Sequence, residues 1–339
     1  MRKMALHYSG MDSGLNLSSG DVPQGLLPVE ISERYAIVRW MRLSGEELTG
    51  PFFPLAVDRL RRRNPAPMEF ETDLSTLAGV QARLAPVNPR AIIFHMSRCG
   101  STLVLNALRA AGSQVVAPGE PQPLERAMMM AGAALGSCAS SGRDILVSLV
   151  TLLSHYQGGP ARDVILKPGI NGIISLPSIR AIWPGVVCII LVRDPVEVLI
   201  SNVEKQPRWI LDSSRHPDRN GKPPREVTDA GLEGVGAWVI GGFCAEVLRR
   251  IDEHCIVVDY EDLSPEMLRV LAARCEIPVC ADHECRIADV FKADAKNPAK
   301  QYLDDREGKN SRATDSMRRC VANWALEPYL QLRNQRLRV

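Results

Sequence analysis

From Arg90 onward the chain alternates short apolar runs with helical stretches, and this alternation constrains the fold more than any other feature. Ala91-Ile-Ile-Phe94 has the pattern of a buried strand, and a helix over Ser101–Ala111 follows it and stops at Gly112. Gln114–Ala117, Asp163–Leu166, Val186–Val192 and Cys255–Val258 read as further strands, and Arg143–Gln157 reads as a long amphipathic helix. Such an order predicts an α/β protein, a three-layer parallel sheet with helices on both faces. Ligands of such sheets bind beyond the carboxyl ends of the strands. Polar residues stand at those ends: Arg98, Glu120, Lys167, Arg193, and Tyr260 with Glu261.

The rest of the chain divides around this unit. Residues 1–25 are polar and rich in Gly and Ser, and read as a flexible N-terminus. Residues 26–88 read as a small N-terminal appendage, with a strand at Tyr35–Arg42 and a turn entering a helix at Pro51–Leu60. The basic run Arg59, Arg61, Arg62 and Arg63 reads as a solvated face. Residues 89–339 form the main domain, interrupted at 204–234 by Pro207, Pro217, Pro223, Pro224 and many charges. That segment reads as a substrate loop or lid, with disorder as the competing reading.

Composition removes several classes of function. With 41 basic and 39 acidic residues the net charge is +2, which argues against nucleic acid as a main partner. No apolar run reaches the roughly 20 residues of a membrane span, and Met1–Pro23 lacks the hydrophobic stretch of a signal peptide. A cytoplasmic protein is expected, with its nine cysteines reduced. Cys275, Cys280, Cys285 and His283 lack the spacing of a zinc site and read as ordinary thiols, so no metal is expected.

Two stretches carry chemistry. Phe94-His-Met-Ser-Arg-Cys-Gly-Ser-Thr-Leu103 leaves a strand and opens a helix, where free backbone N–H groups and the positive helix end attract an anion. Gly100 allows close backbone approach, Arg98 adds a charged fork, and Ser101 and Thr102 add hydroxyls. The bland alternative is a capped strand-to-helix turn. The second stretch runs Arg193-Asp-Pro-Val-Glu-Val-Leu-Ile-Ser201-Asn202. Asp194 suits an N-cap, Pro195 the first helical position, and Glu197 a capping box. Ser201 falls two turns along, so Arg193 and Ser201 together could hold one phosphate.

Together these stretches resemble the sulfotransferase superfamily, of P-loop NTPase-like fold, and a bacterial type in particular. Ser97-Arg98-Cys99-Gly100-Ser101-Thr102 is similar to its loop for the 5′-phosphosulfate, and Leu103 follows it. Arg193 and Ser201, eight residues apart, are similar to its pair for the 3′-phosphate. Tyr260-Glu261-Asp262-Leu263 resembles a structural motif after a late strand, and Arg306, Gly308 and Lys309 resemble its basic loop over the nucleotide. The resemblance implies 3′-phosphoadenylyl sulfate as the donor, with 3′,5′-adenosine bisphosphate as product, a small-molecule acceptor and no metal. A sulfuryl group carries less charge than a phosphoryl group and needs no magnesium to neutralise it. It also implies that Arg98 and Lys167 stabilise developing charge. Where many members carry Lys-Thr-His, this chain has Lys167-Pro168-Gly169 without the His, so Glu120 is the candidate base. His95 could be a buried or supporting histidine. A kinase using Asp194 for magnesium and a non-catalytic nucleotide-binding protein are the rivals. Acceptor identity and homo-oligomer formation stay open.

Overall fold

An antiparallel sheet near the N-terminus precedes the α/β unit. It consists of β1 (Leu26–Ser32), β2 (Ile37–Arg42) and, after helix α1 (Phe53–Arg63), β3 (Glu69–Asp73), which runs into the short α2 (Leu74–Ala78). The structure is a computed structural model that describes residues 25–43, 48, 50–63, 69–79, 84–133, 139–156, 162–215, 222–301, 308 and 311–339. Only β2 and α1 are foreseen in the sequence. β3, Glu-Phe-Glu-Thr-Asp, carries little apolar signal and is held instead by cross-strand contacts. Arg39 of β2 pairs with Glu71 at 2.5 Å, and Phe70 stacks on Trp40 at 6.4 Å. Arg61, expected on a solvated face, reaches Glu69 at 2.6 Å.

The α/β unit follows as expected. Its strands are β4 (Ala91–His95), β5 (Val115–Val116), β6 (Asp163–Leu166), β7 (Val187–Val192) and β8 (Cys255–Asp259). They form one parallel sheet in the order β5-β6-β4-β7-β8. Every residue of β4 is buried. Alternate side chains point to opposite faces, so both faces of the sheet are covered. The helices between the strands are α3 (Ser101–Ala111), α4 (Gln122–Ala133), α5 (Ala139–His155), α6 (Leu176–Ile182), α7 (Pro195–Lys205), α8 (Arg208–Arg215), α9 (Arg225–Asp229) and α10 (Gly231–Arg250). After β8 come α11 (Pro265–Arg274), α12 (Ala281–Val290), a hairpin of β9 (Ala293–Asp294) and β10 (Asn297–Gln301), α13 (Asp315–Trp324) and α14 (Leu326–Arg333).

Later strands lie on either side of β4, which places a crevice above its carboxyl end. The N-terminal sheet is tied to the flank of this unit. Gln122 of α4 donates to the carbonyl of Ile31 and accepts from its N–H, both at 2.9 Å. Helix α10 is long and apolar enough to cross a membrane by length and composition, yet 56% of its most apolar window is buried, and it packs against α13 and α14.

The segment 204–234 differs from the expected loop. Its described part is helical: α8, α9 and the start of α10. Ile210 and Ser213 of α8 are buried while Arg208 is exposed, so the helix is amphipathic over barely two turns. Pro207 precedes α8, Pro223 and Pro224 precede α9, and Pro217 lies in 216–221, outside the described residues; prolines so closely spaced mask so short a period.

Candidate active site

The turn after β4 has an unusual backbone. Ser97, Arg98 and Gly100 have φ of 68°, 50° and 82°. Left-handed conformations cost a non-glycine residue about 1–2 kcal/mol, so local contacts must hold them. The Ser97 N–H donates to His95 Nδ1 at 3.2 Å. Its hydroxyl donates to Asn202 Oδ1 at 3.2 Å and accepts from Trp209 Nε1 at 3.3 Å. Helix α3 then starts at Ser101, aiming its first N–H groups at the crevice. A Cβ on Gly100 would stand 2.7 Å from Leu263 Cδ1 and 2.8 Å from Tyr260 Cδ2. Gly100→Ala is therefore expected to cost about 2–4 kcal/mol, as strain plus overpacking. Urea unfolding measures it, and a loss below about 0.5 kcal/mol would contradict this account of the turn.

The second stretch folds against the first. Asp194 caps α7, its Oδ1 accepting from the N–H groups of Val196 at 2.8 Å and Glu197 at 3.2 Å. The Glu197 side chain does not complete the expected capping box; it pairs with Arg193, accepting from Nε at 2.7 Å. The cap brings Ser201 round to the turn, where its hydroxyl accepts from Arg98 Nε at 2.8 Å. Arg193 lies over the Tyr260 ring, 3.9 Å from its centroid, and donates to the Arg98 carbonyl at 3.4 Å. Arg98, Arg193 and Ser201 thus converge, with Arg98 bonding the Ser201 hydroxyl and Arg193 the Arg98 carbonyl. Beside them the buried Asn202 Nδ2 has no hydrogen-bond partner among the described residues. Such an orphan donor suits an anionic guest.

Glu120 and Lys167 meet because β5 and β6 are continued by a parallel bridge between Gly119 and Lys167. The Glu120 N–H donates to the Lys167 carbonyl at 2.8 Å, and Lys167 Nζ reaches Glu120 Oε1 at 2.5 Å. Lys167 is fully buried and Glu120 is held at φ 53°. Burial works to raise the Glu120 pKa, but the Lys167 ammonium outweighs it, so the carboxyl lies below its ordinary 4.5. His95 is pushed down to about 3 by burial and then by Lys167. Its Nδ1 accepts from Ser97, so Nε2 carries the proton and donates to the Pro168 carbonyl at 3.1 Å. A neutral ring with both nitrogens engaged is a prop for the turn, not a base.

Other expected residues fall as follows. The Cys99 thiol is pushed up to about 11 by burial, so Cys99 contributes backbone only. Ser101 and Thr102 are buried in the first turn of α3, with Leu103 beside them. Gly308 is exposed and its carbonyl accepts from Arg312 at 2.7 Å, while Arg306 and Lys309 lie outside the described residues. Glu261 and Asp262 pair with Arg333 and Arg336, which leaves Tyr260 and Leu263 as the members of their motif that reach the turn. Cys275 is buried behind α11, Cys280 and Cys285 are exposed on α12 and its cap, and the described cysteines are free.

The chain matches no protein-family model and no curated protein. Among solved structures it is similar to the sulfotransferase domain from the curacin biosynthetic pathway, at 14% identity and a TM-score of 0.42 over 70% of this chain and 99% of that one. It is similar to sulfotransferase STF9 from Mycobacterium avium, at 12% and 0.42 over 83% and 85%. It is also similar to a sulfotransferase from Alicyclobacillus acidocaldarius, at 12% and 0.39 over 72% and 99%. The likeness is one of fold.

Sequence reasoning missed several site residues. Trp209 reaches the turn from α8, inside the segment expected to be a loop. Phe52 faces the pair Lys167 and Lys296, 5.9 and 5.2 Å from its ring centroid. Phe52 is fixed because the next N–H, of Phe53, donates to the Gly119 carbonyl at 2.8 Å. Glu125 accepts from the Gly169 N–H at 3.0 Å, and burial raises its carboxyl, helped by Glu120. No local motif marks these positions, since each is set by tertiary packing. Arg98, Arg193, Lys167 and Lys296 outnumber Glu120, Glu125 and Glu197 here, so the site favours an anion.

Proposed function

We propose that the chain is a sulfotransferase that takes a sulfuryl group from 3′-phosphoadenylyl sulfate and passes it to a hydroxyl or amine of a small-molecule acceptor. One observation carries this reading: Arg98 of the phosphate turn bonds Ser201 of the second stretch, beneath Arg193 and at the positive end of α3. Two anion-seeking motifs thereby share one crevice, as a nucleotide phosphorylated at both ends requires. The orphan Asn202 donor and the excess of cations fit the same guest.

When bound, that nucleotide supplies an activated sulfuryl group on a phosphate leaving group. Arg98, the N–H groups of Cys99–Leu103 and the hydroxyls of Ser101 and Thr102 would hold the phosphosulfate end. Arg193 and Ser201 would hold the 3′-phosphate, and the resemblance adds Arg306, Gly308 and Lys309 as further candidates to bind the nucleotide. Lys167 would stabilise charge developing on the bridging oxygen. Glu120 would take the acceptor's proton. Its pairing with Lys167 makes it a weak base at rest. Lys167 turning toward an anion releases the carboxylate and restores its basicity, which links base strength to occupancy of the site.

The kinase reading loses ground, because the Asp194 carboxylate is engaged as the α7 cap. Transfer of radiolabelled sulfate across an acceptor panel tests the proposal. Wild-type protein is expected to label at least one hydroxyl or amine, and Glu120→Gln to abolish labelling while 3′,5′-adenosine bisphosphate still binds. Undiminished labelling by Glu120→Gln would remove Glu120 from its role. No transfer by protein that binds the nucleotide would favour a non-catalytic protein.

A further inference from the structure

We infer that Lys296 binds the oxygens of the group being transferred, closing the phosphosulfate end of the site as a further cation beside Arg98 and Lys167. The inference rests on the sulfotransferase reading.

Lys296 sits in the turn between β9 and β10, and three contacts fix that turn. Asp294 Oδ1 accepts from the N–H groups of Lys296 at 2.9 Å and Asn297 at 2.8 Å, which closes the turn locally. Asn106 Nδ2 donates to the Ala295 carbonyl at 2.9 Å. Asn106 belongs to α3, the helix whose first turn forms the anion site, so the hairpin is clamped to that helix. The amide is itself oriented, because its Oδ1 accepts from Arg109 Nη1 at 3.0 Å. The clamp leaves Lys296 Nζ 5.2 Å from the Phe52 ring centroid, against 5.9 Å for Lys167 Nζ. Both ammonium groups therefore lie against one aromatic wall.

The electrostatics of this position are unfavourable until an anion arrives. Among the described residues no carboxylate lies within ion-pair distance of Lys296, whereas Lys167 has Glu120 and Arg193 has Glu197. Desolvation, then Arg98, and further Lys167 push its pKa down to about 8, while Glu120 and Asp294 work the other way. The hairpin fixes the backbone from which Lys296 projects toward Phe52, and the residue is exposed, so a ligand can reach it. A bound sulfuryl group would relieve the repulsion among Lys296, Lys167 and Arg98.

Calorimetry with two nucleotides tests the inference. Both carry the 3′-phosphate, and only 3′-phosphoadenylyl sulfate carries the sulfuryl group. Lys296→Met is expected to weaken 3′-phosphoadenylyl sulfate by about 10-fold or more, as for one charged hydrogen bond. It should leave 3′,5′-adenosine bisphosphate within about 3-fold, which also shows that the variant folds. Lys296→Gln should behave alike and serves if the Met variant does not fold. An equal loss for both nucleotides, or no loss for either, would overturn the assignment. Wild-type protein that binds neither would overturn the sulfotransferase reading itself, and this inference with it.

Discussion

Arg98→Met is expected to weaken 3′,5′-adenosine bisphosphate by about 10- to 100-fold, the largest effect of any single side chain in the anion site. Its loss removes one to two charge-assisted hydrogen bonds, about 1.5–3 kcal/mol in all. Arg98 stands where the two motifs join, its Nε on Ser201 Oγ at 2.8 Å and its carbonyl under Arg193. The substitution keeps the volume of the stem and removes the charge. Arg98 is only half-buried, so the substitution leaves the core intact. A second readout is independent of affinity. Arg98 helps to depress the Lys296 pKa, so its loss should raise that pKa from about 8. Unchanged nucleotide affinity in Arg98→Met would detach the turn from ligand binding.

Lys167→Met is expected to destabilise the fold by about 3 kcal/mol. Breaking a buried pair by removing one partner costs about 3–5 kcal/mol, and Glu120 keeps 27% of its side chain exposed, which places the loss at the low end. The pH dependence should change sign. In the wild type the folded Glu120 pKa is lowered, so its stabilisation is present above the ordinary carboxylate value of 4.5 and is lost as pH falls through the lower folded value. Without Lys167, burial is no longer outweighed and the folded pKa rises. Glu120 then stabilises the variant only at acid pH, and this is lost as pH rises through the new folded value. Urea unfolding at several pH values would reveal the reversal, and adding Glu120→Gln to Lys167→Met should restore much of the lost stability. Equal stability losses at pH 4 and pH 7 would contradict this picture of the pair.

The parallel sheet was legible because its strands are buried on both sides and so read as unbroken apolar runs, Val187–Val192 above all. The end of α3 was legible from Gly112. Elements fixed by contacts between distant residues were not. β3 depends on Arg39 and Trp40 across the strand, and α8 presents too short an apolar face among charges. In the site, Arg98, Glu120, Lys167, Arg193 and Ser201 could be named from strand ends and one interval. Their pairing could not, since it is tertiary: Ser201 goes to Arg98, and Glu197 leaves the cap for Arg193. Lys296 was invisible for the same reason, because Asn106 reaches its turn across a separation of 189 residues.

The central claim is that this crevice holds an adenine nucleotide phosphorylated at both its 3′ and 5′ positions. Calorimetric titration of the wild-type protein with 3′,5′-adenosine bisphosphate, beside ATP with magnesium, tests it most directly. Saturable one-to-one binding of the bisphosphate, weakened by Arg98→Met and by Ser201→Ala, is the predicted result. Binding of ATP with magnesium and none of the bisphosphate would contradict it.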